Sequence, residues 1–203
     1  MGRRFYSHFT LILVMASLEL IALVLTGLSI TASIVYYASV LSNANRTQKL
    51  QLETRRTQIF MQLHQSKYDQ EGLEAIFRLM NLKWENFDDY MEKFSGIGGH
   101  YEIAAALESW ISYFDGLGIL VKDNVIDLDM VYNIAFSRIL FIWFKFETII
   151  KGFRNPPLGW PDYGQHFEYL ANEVIKIRRL QNLPMAYSNL IHPTSELYQE
   201  YNP

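Results

Sequence analysis

Apolar residues fall along this chain in two regimes. From Ser17 to Leu41 they are nearly continuous, and from Leu73 onward they recur at helical spacing. No charged residue lies between Leu20 and Asn45. At 1.5 Å per residue, about 20 such residues cross the roughly 30 Å hydrocarbon core of a bilayer. Residues 17–41 are therefore expected to form a transmembrane anchor. Tyr36 and Tyr37 lie near its C-terminal end, where amphipathic rings favour the headgroup layer. Glu19 falls at the opposite boundary, within reach of water, and a carboxylate there also favours a helix N-terminus. A cleaved signal peptide is the second reading, with Arg3 and Arg4 as its basic start. The apolar run, however, exceeds the usual h-region of about 7–15 residues. Phe9 to Leu18 is apolar as well, so the whole is too long for one upright span and implies a tilted or interfacial extension. Residues 1–16 are set apart as an N-terminal extension, with Met15 as an alternative start.

The second regime reads as helices throughout. Residues 42–67 contain no Gly or Pro and are rich in helix formers, which predicts a helical stalk. Its partial stripe of Leu52, Ile59, Phe60 and Leu63 suits packing on the following domain or weak pairing with a second copy. Leu73, Ile76, Phe77 and Met80 predict one helix, and Phe87, Tyr90, Met91 and Phe94 a second, with Asn86 as its N-cap. A third carries Ile103, Leu107, Trp110, Ile111, Phe114, Leu117 and Val121 on one face and ends near Lys122-Asp123-Asn124. A fourth starts at Asp127 and is stopped by Asn155-Pro156-Pro157. Its centre, Ile139 to Phe144, is apolar on every side and so predicts the central buried helix. A fifth runs from about Asp162 to Gln181, with Phe167, Leu170, Val174 and Ile177 inward. No strand alternation is visible. The expected fold is all-α: a transmembrane helix continuing into a stalk, then a helical bundle over residues 68–183. Residues 184–203 form a C-terminal tail with little periodicity, expected to be a loose strap.

Composition narrows the function classes. Of 203 residues, 18 are basic and 21 acidic, and removing Arg3, Arg4 and Glu19 leaves the remainder with an acidic excess. A mildly acidic domain lacks the basic face that releases counterions from phosphates, so no nucleic-acid partner is expected. The absence of cysteine excludes disulfides, thiolate metal sites and cysteine nucleophiles. Arg46, Lys49, Arg55 and Arg56 after the span outnumber Arg3 and Arg4 before it, which places the helical domain on the cytoplasmic side. The sequon Asn45-Arg46-Thr47 lies too close to the expected membrane to count against that.

Candidate chemistry is sparse. The stretch Asp115-Gly116-Leu117-Gly118 puts two glycines near a helix end, at a cost of about 1 kcal/mol each relative to alanine. Close packing of the third helix on the fourth is the expected reason. Ser95-Gly96-Ile97-Gly98-Gly99 lacks the Gly-Lys-Ser/Thr of a phosphate loop and no strand precedes it, so a connector is expected. Glu85, Asp88, Asp89 and Glu92 recur at one-turn spacing, which reads as a solvated face rather than a cation site. His8, His64, His100, His166 and His192 are scattered without zinc-site spacing. Glu147 beside the aromatic centre, with Lys145, Glu168 and Glu173, gives carboxylates but no catalytic pair. No catalytic, cofactor-binding or metal-binding residue is assigned, no cofactor is expected, and the chain is read as a non-enzyme.

Four stretches carry a family resemblance: the span ending in Tyr36-Tyr37, Leu50 to Leu63 (LQLETRRTQIFMQL), Asn81 to Phe94 (NLKWENFDDYMEKF), and Tyr113 to Asp127 (YFDGLGILVKDNVID) with the aromatic helix after it. From Leu18 to about Leu180 the chain resembles a family of small membrane-anchored helical proteins of archaea and bacteria, known only as a domain of unknown function. The resemblance implies a single span plus a helical domain and brings no catalytic residues. The expected role is an interaction module or accessory subunit of a membrane complex, with the lipid bilayer, a protein partner and a second copy of the chain as candidate partners. A membrane-associated defence or stress effector is the alternative.

Overall fold

The computed structural model describes residues 2–95, 100–193, 195 and 197–201, and they divide into two units, 1–54 and 55–203. The described chain is all-helical. In order it forms α1 (Gly2–Lys67), α2 (Gln70–Met80), α3 (Phe87–Phe94), α4 (Tyr101–Lys122), α5 (Leu128–Arg154), α6 (Gln165–Leu180), a 3-10 turn (Ser188–Leu190) and α7 (Tyr198–Tyr201). In the first unit the side chains of α1 from Met15 onward are exposed on every side. Thr26, Ser29, Thr31, Ser33 and Ser39 each return their hydroxyl to the carbonyl four residues earlier, at 2.8–2.9 Å. Those bonds satisfy the hydroxyls within the helix and leave its outer surface apolar.

In the second unit α5 is the central element. Ile139, Leu140, Phe141, Ile142, Trp143 and Phe144 are all buried, which is why the run is apolar on every face. The face of α4 read from its spacing is also buried from Leu107 to Val121, and Ile103 is half-buried. The partner of α4 differs from expectation: it packs chiefly on α6, not as a hairpin on α5. On α1, the inward residue of the expected stripe is Phe60, fully buried, while Leu52, Ile59 and Leu63 are exposed. On α2 the buried row is Gly72, Ile76 and Leu79. Phe77 and Met80 face outward at 60% and 45% exposure. Residues i, i+4 and i+7 rather than i+1 follow from the contact with α4, which fixes the rotation of so short a helix.

Local signals set the helix ends. Asp69 accepts from Gly72 N at 2.8 Å to start α2. At α3 the Asn86 side chain accepts from Asp89 N at 3.0 Å, and Asp89 accepts from Glu85 N at 2.9 Å, a reciprocal cap. Asp127 accepts from Asp129 N at 2.8 Å to start α5, and Lys151 and Arg154 lie in its last turn, as the helix dipole prefers. α6 begins three residues later than its periodicity suggested, because Gly164 takes a left-handed conformation with φ 62° just before Gln165.

One cap crosses the fold. Lys145, only 9% exposed, donates from Nζ to the carbonyls of Met80 at 2.6 Å and Leu82 at 3.0 Å, over the ring of Trp84. It therefore satisfies backbone acceptors at and just beyond the end of α2 from α5, and burial pushes its pKa down. Lys145→Met keeps the aliphatic length and strips the donor. It should lower unfolding stability by about 2 kcal/mol, measured by urea denaturation, because two part-buried carbonyls lose their partner.

Candidate functional site

The connection after α5 folds back on its own helix. Trp160 N donates to the Phe153 carbonyl at 3.1 Å, and Tyr163 N to the Trp160 carbonyl at 3.1 Å. Arg154, in the last turn of α5, donates from Nε to the Tyr163 carbonyl at 2.8 Å and pairs with Glu168 of α6. These bonds bring three rings together. Phe153 lies parallel to Trp160 with centroids 5.5 Å apart and 4° between planes, and Tyr163 is 5.0 Å from Phe153 and 5.9 Å from Trp160. Gly152 makes room behind them, since a side chain there would run into the ring of Phe87 at 2.2 Å.

The three rings form one wall of a cleft of about 840 Å³ whose other sides come from α3 and α4, including Tyr90 and Tyr101. Its size and apolar lining match small-ligand sites, which are concave and carry few polar groups. Glu108 of α4 is the one ionisable acid or base among its described lining residues besides the tyrosines. The Tyr163 hydroxyl donates to Glu108 Oε2 at 2.6 Å, and Ser112 Oγ donates to Oε1 at 3.1 Å. Burial, then the hydrogen bond to Glu108, push the Tyr163 pKa up, and burial does the same for Tyr90. The phenols therefore stay protonated, and Glu108 is held in place as an acceptor with lone pairs left over on both oxygens. Sequence reasoning missed Glu108, Trp160 and Tyr163. The available signal was aromatic density in the turn Trp160-Pro161-Asp162-Tyr163.

The stretch Asp115 to Gly118 has a structural explanation. Asp115 Oδ1 accepts from His166 N at 2.9 Å and Phe167 N at 3.0 Å, supplying the cap that Gly164 cannot give α6. Gly118 permits the approach: a Cβ there would lie 2.0 Å from the His166 carbonyl oxygen. Gly116 has nothing within 4 Å. The close-packing expectation therefore applies at Gly118, against α6.

The remaining candidates separate. Glu147, 2% exposed, accepts from Lys151 Nζ at 2.8 Å and from the Ser195 hydroxyl. Lys145 faces α2 instead, so the two are not a pair. Glu168 pairs with Arg154, and Glu173 with Lys176 on the surface. Asp89 is taken up by the α3 cap and Lys93. Gly96 to Gly99 lie outside the described residues. Among the described residues no cluster of three His, Asp or Glu could hold a metal ion. His64 is not isolated: its ring stacks on Tyr68 at 3.9 Å, and Tyr68 stands edge-on to Trp110 at 5.7 Å. His64 Nδ1, the Tyr68 and Tyr113 hydroxyls, Trp110 Nε1 and Arg138 Nε are buried without a hydrogen-bond partner in the described chain. Burial pushes the Tyr68 pKa up to about 12, against the pull of Arg138, and lowers that of His64. Buried groups of this kind are met by internal water in folded proteins.

No curated protein and no solved structure matches the chain. Residues 16–192 match the family described as "Domain of unknown function (DUF4760)", which takes in the apolar helix and the helical domain together. The chain belongs to that family.

Proposed function

We propose that this protein is a single-pass membrane protein whose helical domain is a cytoplasmic interaction module, an accessory subunit of a membrane complex rather than an enzyme. The observation that carries the reading is the exposure of consecutive apolar residues on α1: Leu23, Val24 and Leu25 are 72%, 54% and 58% exposed, and the pattern runs from Met15 to Leu41. An apolar surface that long and complete around a helix is far larger than the patches of a few hundred Å² that proteins leave to water. Its length suits a bilayer. The charge bias after residue 41 supports the cytoplasmic side. A module role is supported by carboxylates engaged in helix caps and ion pairs. Confinement to the membrane plane raises the effective concentration of such a module toward other membrane proteins.

Membranes washed with alkaline carbonate should retain the full chain, and its intact mass should include the apolar helix. Deleting residues 2–41 should move it wholly out of the pellet. A mature protein that begins after Leu41 would instead identify a signal peptide. Pull-down in mild detergent with crosslinking should recover a stoichiometric membrane partner; recovery of a lone monomer would sink the subunit reading.

A further inference from the structure

The cleft between α3, α4 and the turn after α5 combines two features that select a ligand class. Five of its lining side chains are aromatic: Tyr90, Tyr101, Phe153, Trp160 and Tyr163. The sixth that matters is Glu108, and no Lys, Arg or His is among the described lining residues. Aromatic faces carry negative quadrupolar charge and attract cations placed over them, most strongly for Trp. Glu108 has no ion-pair partner among the described residues, and its two hydrogen bonds, from Tyr163 and Ser112, come from neutral hydroxyls. Charge and ring chemistry therefore point the same way.

We propose that this cleft binds a small organic cation with a quaternary or tertiary ammonium head, the rings of Trp160, Tyr163 and Phe153 forming the aromatic wall and Glu108 the counter-charge. A primary ammonium brings three N–H donors that all need acceptors, and beyond Glu108 the side-chain acceptors of this lining are only the hydroxyls of Ser95, Tyr90, Tyr101 and Tyr163. A quaternary head has no N–H to leave unmet, so its transfer from water costs no hydrogen bond. The parallel Phe153–Trp160 pair, fixed by backbone bonds from Trp160 and Tyr163 and by Arg154, presents that wall without further ordering. The inference goes beyond the module reading and does not depend on the partner's identity.

The test uses the full chain in a maltoside detergent, which carries no ammonium group, titrated with choline and with its neutral isostere 3,3-dimethylbutan-1-ol. Binding is followed by calorimetry and by tryptophan fluorescence. Choline should bind at least about tenfold more tightly than the isostere, the size of one strong cation–π contact. Glu108→Gln should weaken choline about tenfold and leave the isostere unchanged, and Trp160→Leu should weaken choline about tenfold and the isostere by clearly less. Both side chains are exposed, so the variants should keep the helical circular dichroism of the parent. Equal affinity for choline and the isostere would overturn the cation inference and leave an apolar cleft. No choline binding up to about 10 mM would overturn it as well. Either failure leaves the membrane-partner pull-down to stand or fall on its own.

Discussion

Gly118→Ala should destabilise the helical domain by about 3 kcal/mol, a drop in Tm of roughly 6–12 °C for a unit of this size. The added methyl would sit 2.0 Å from the His166 carbonyl oxygen and 2.6 Å from its carbon, which are backbone atoms of α6 and cannot rotate aside. Either α6 moves away or α4 does. Movement of either also breaks the two hydrogen bonds from His166 N and Phe167 N to Asp115. Gly116→Ala, two residues earlier on the same helix, meets nothing within 4 Å and should be neutral or up to about 1 kcal/mol more stable through helix propensity. Thermal unfolding of the pair separates a steric requirement from a propensity effect. Equal shifts for both would show that the approach of α6 to Gly118 is not what holds the glycine there.

Removing residues 184–203 should cost about 5 kcal/mol, enough to bring a typical domain to the edge of unfolding. Ile191 is 3% exposed, and losing its side chain from the core accounts for about 3 kcal/mol. The remainder comes from two buried groups left short. Arg178, 7% exposed, donates to the Pro184 carbonyl, and Glu147 accepts from the buried Ser195 hydroxyl. Removing Tyr187 also ends its T-shaped contact with Phe141, ring centroids 5.8 Å apart. Urea denaturation of the full and truncated chains, with Ile191→Ala beside them, checks both the total and its division. A truncated chain within about 1 kcal/mol of the parent would mean that the tail adds nothing to the core.

What the sequence made legible follows from periodicity and local chemistry. The central run Ile139 to Phe144, the inward face of α4, the Asn86 cap, the helix start at Asp127 and the stop at Asn155-Pro156-Pro157 all depend on neighbours within a few residues, and each is present. The tail escaped because its anchors, Ile191, Tyr187, Ser195 and the Pro184 carbonyl, are scattered between turns with no period to read. The rotation of α2 and the pairing of α4 with α6 escaped for a different reason: they are set by which surfaces fit, and Gly118 signals closeness without naming the partner. The cleft is the hardest case. Glu108 sits on the outer side of a helix, and Phe153, Trp160 and Tyr163 converge only because a turn folds back on α5. Nothing in their spacing distinguishes them from surface aromatics.

Two short helices in this domain do not own their ends. Lys145 on α5 closes α2, and Asp115 on α4 opens α6. A helix of 11 or 16 residues is marginal alone in water, and each of these two has some of its terminal groups met from a different helix. Opening either one exposes backbone polar groups and strips a partner from a second element at the same moment. Amide exchange in α2 should therefore follow the opening of α5, and that in α6 the opening of α4, instead of each short helix opening with a free energy of its own.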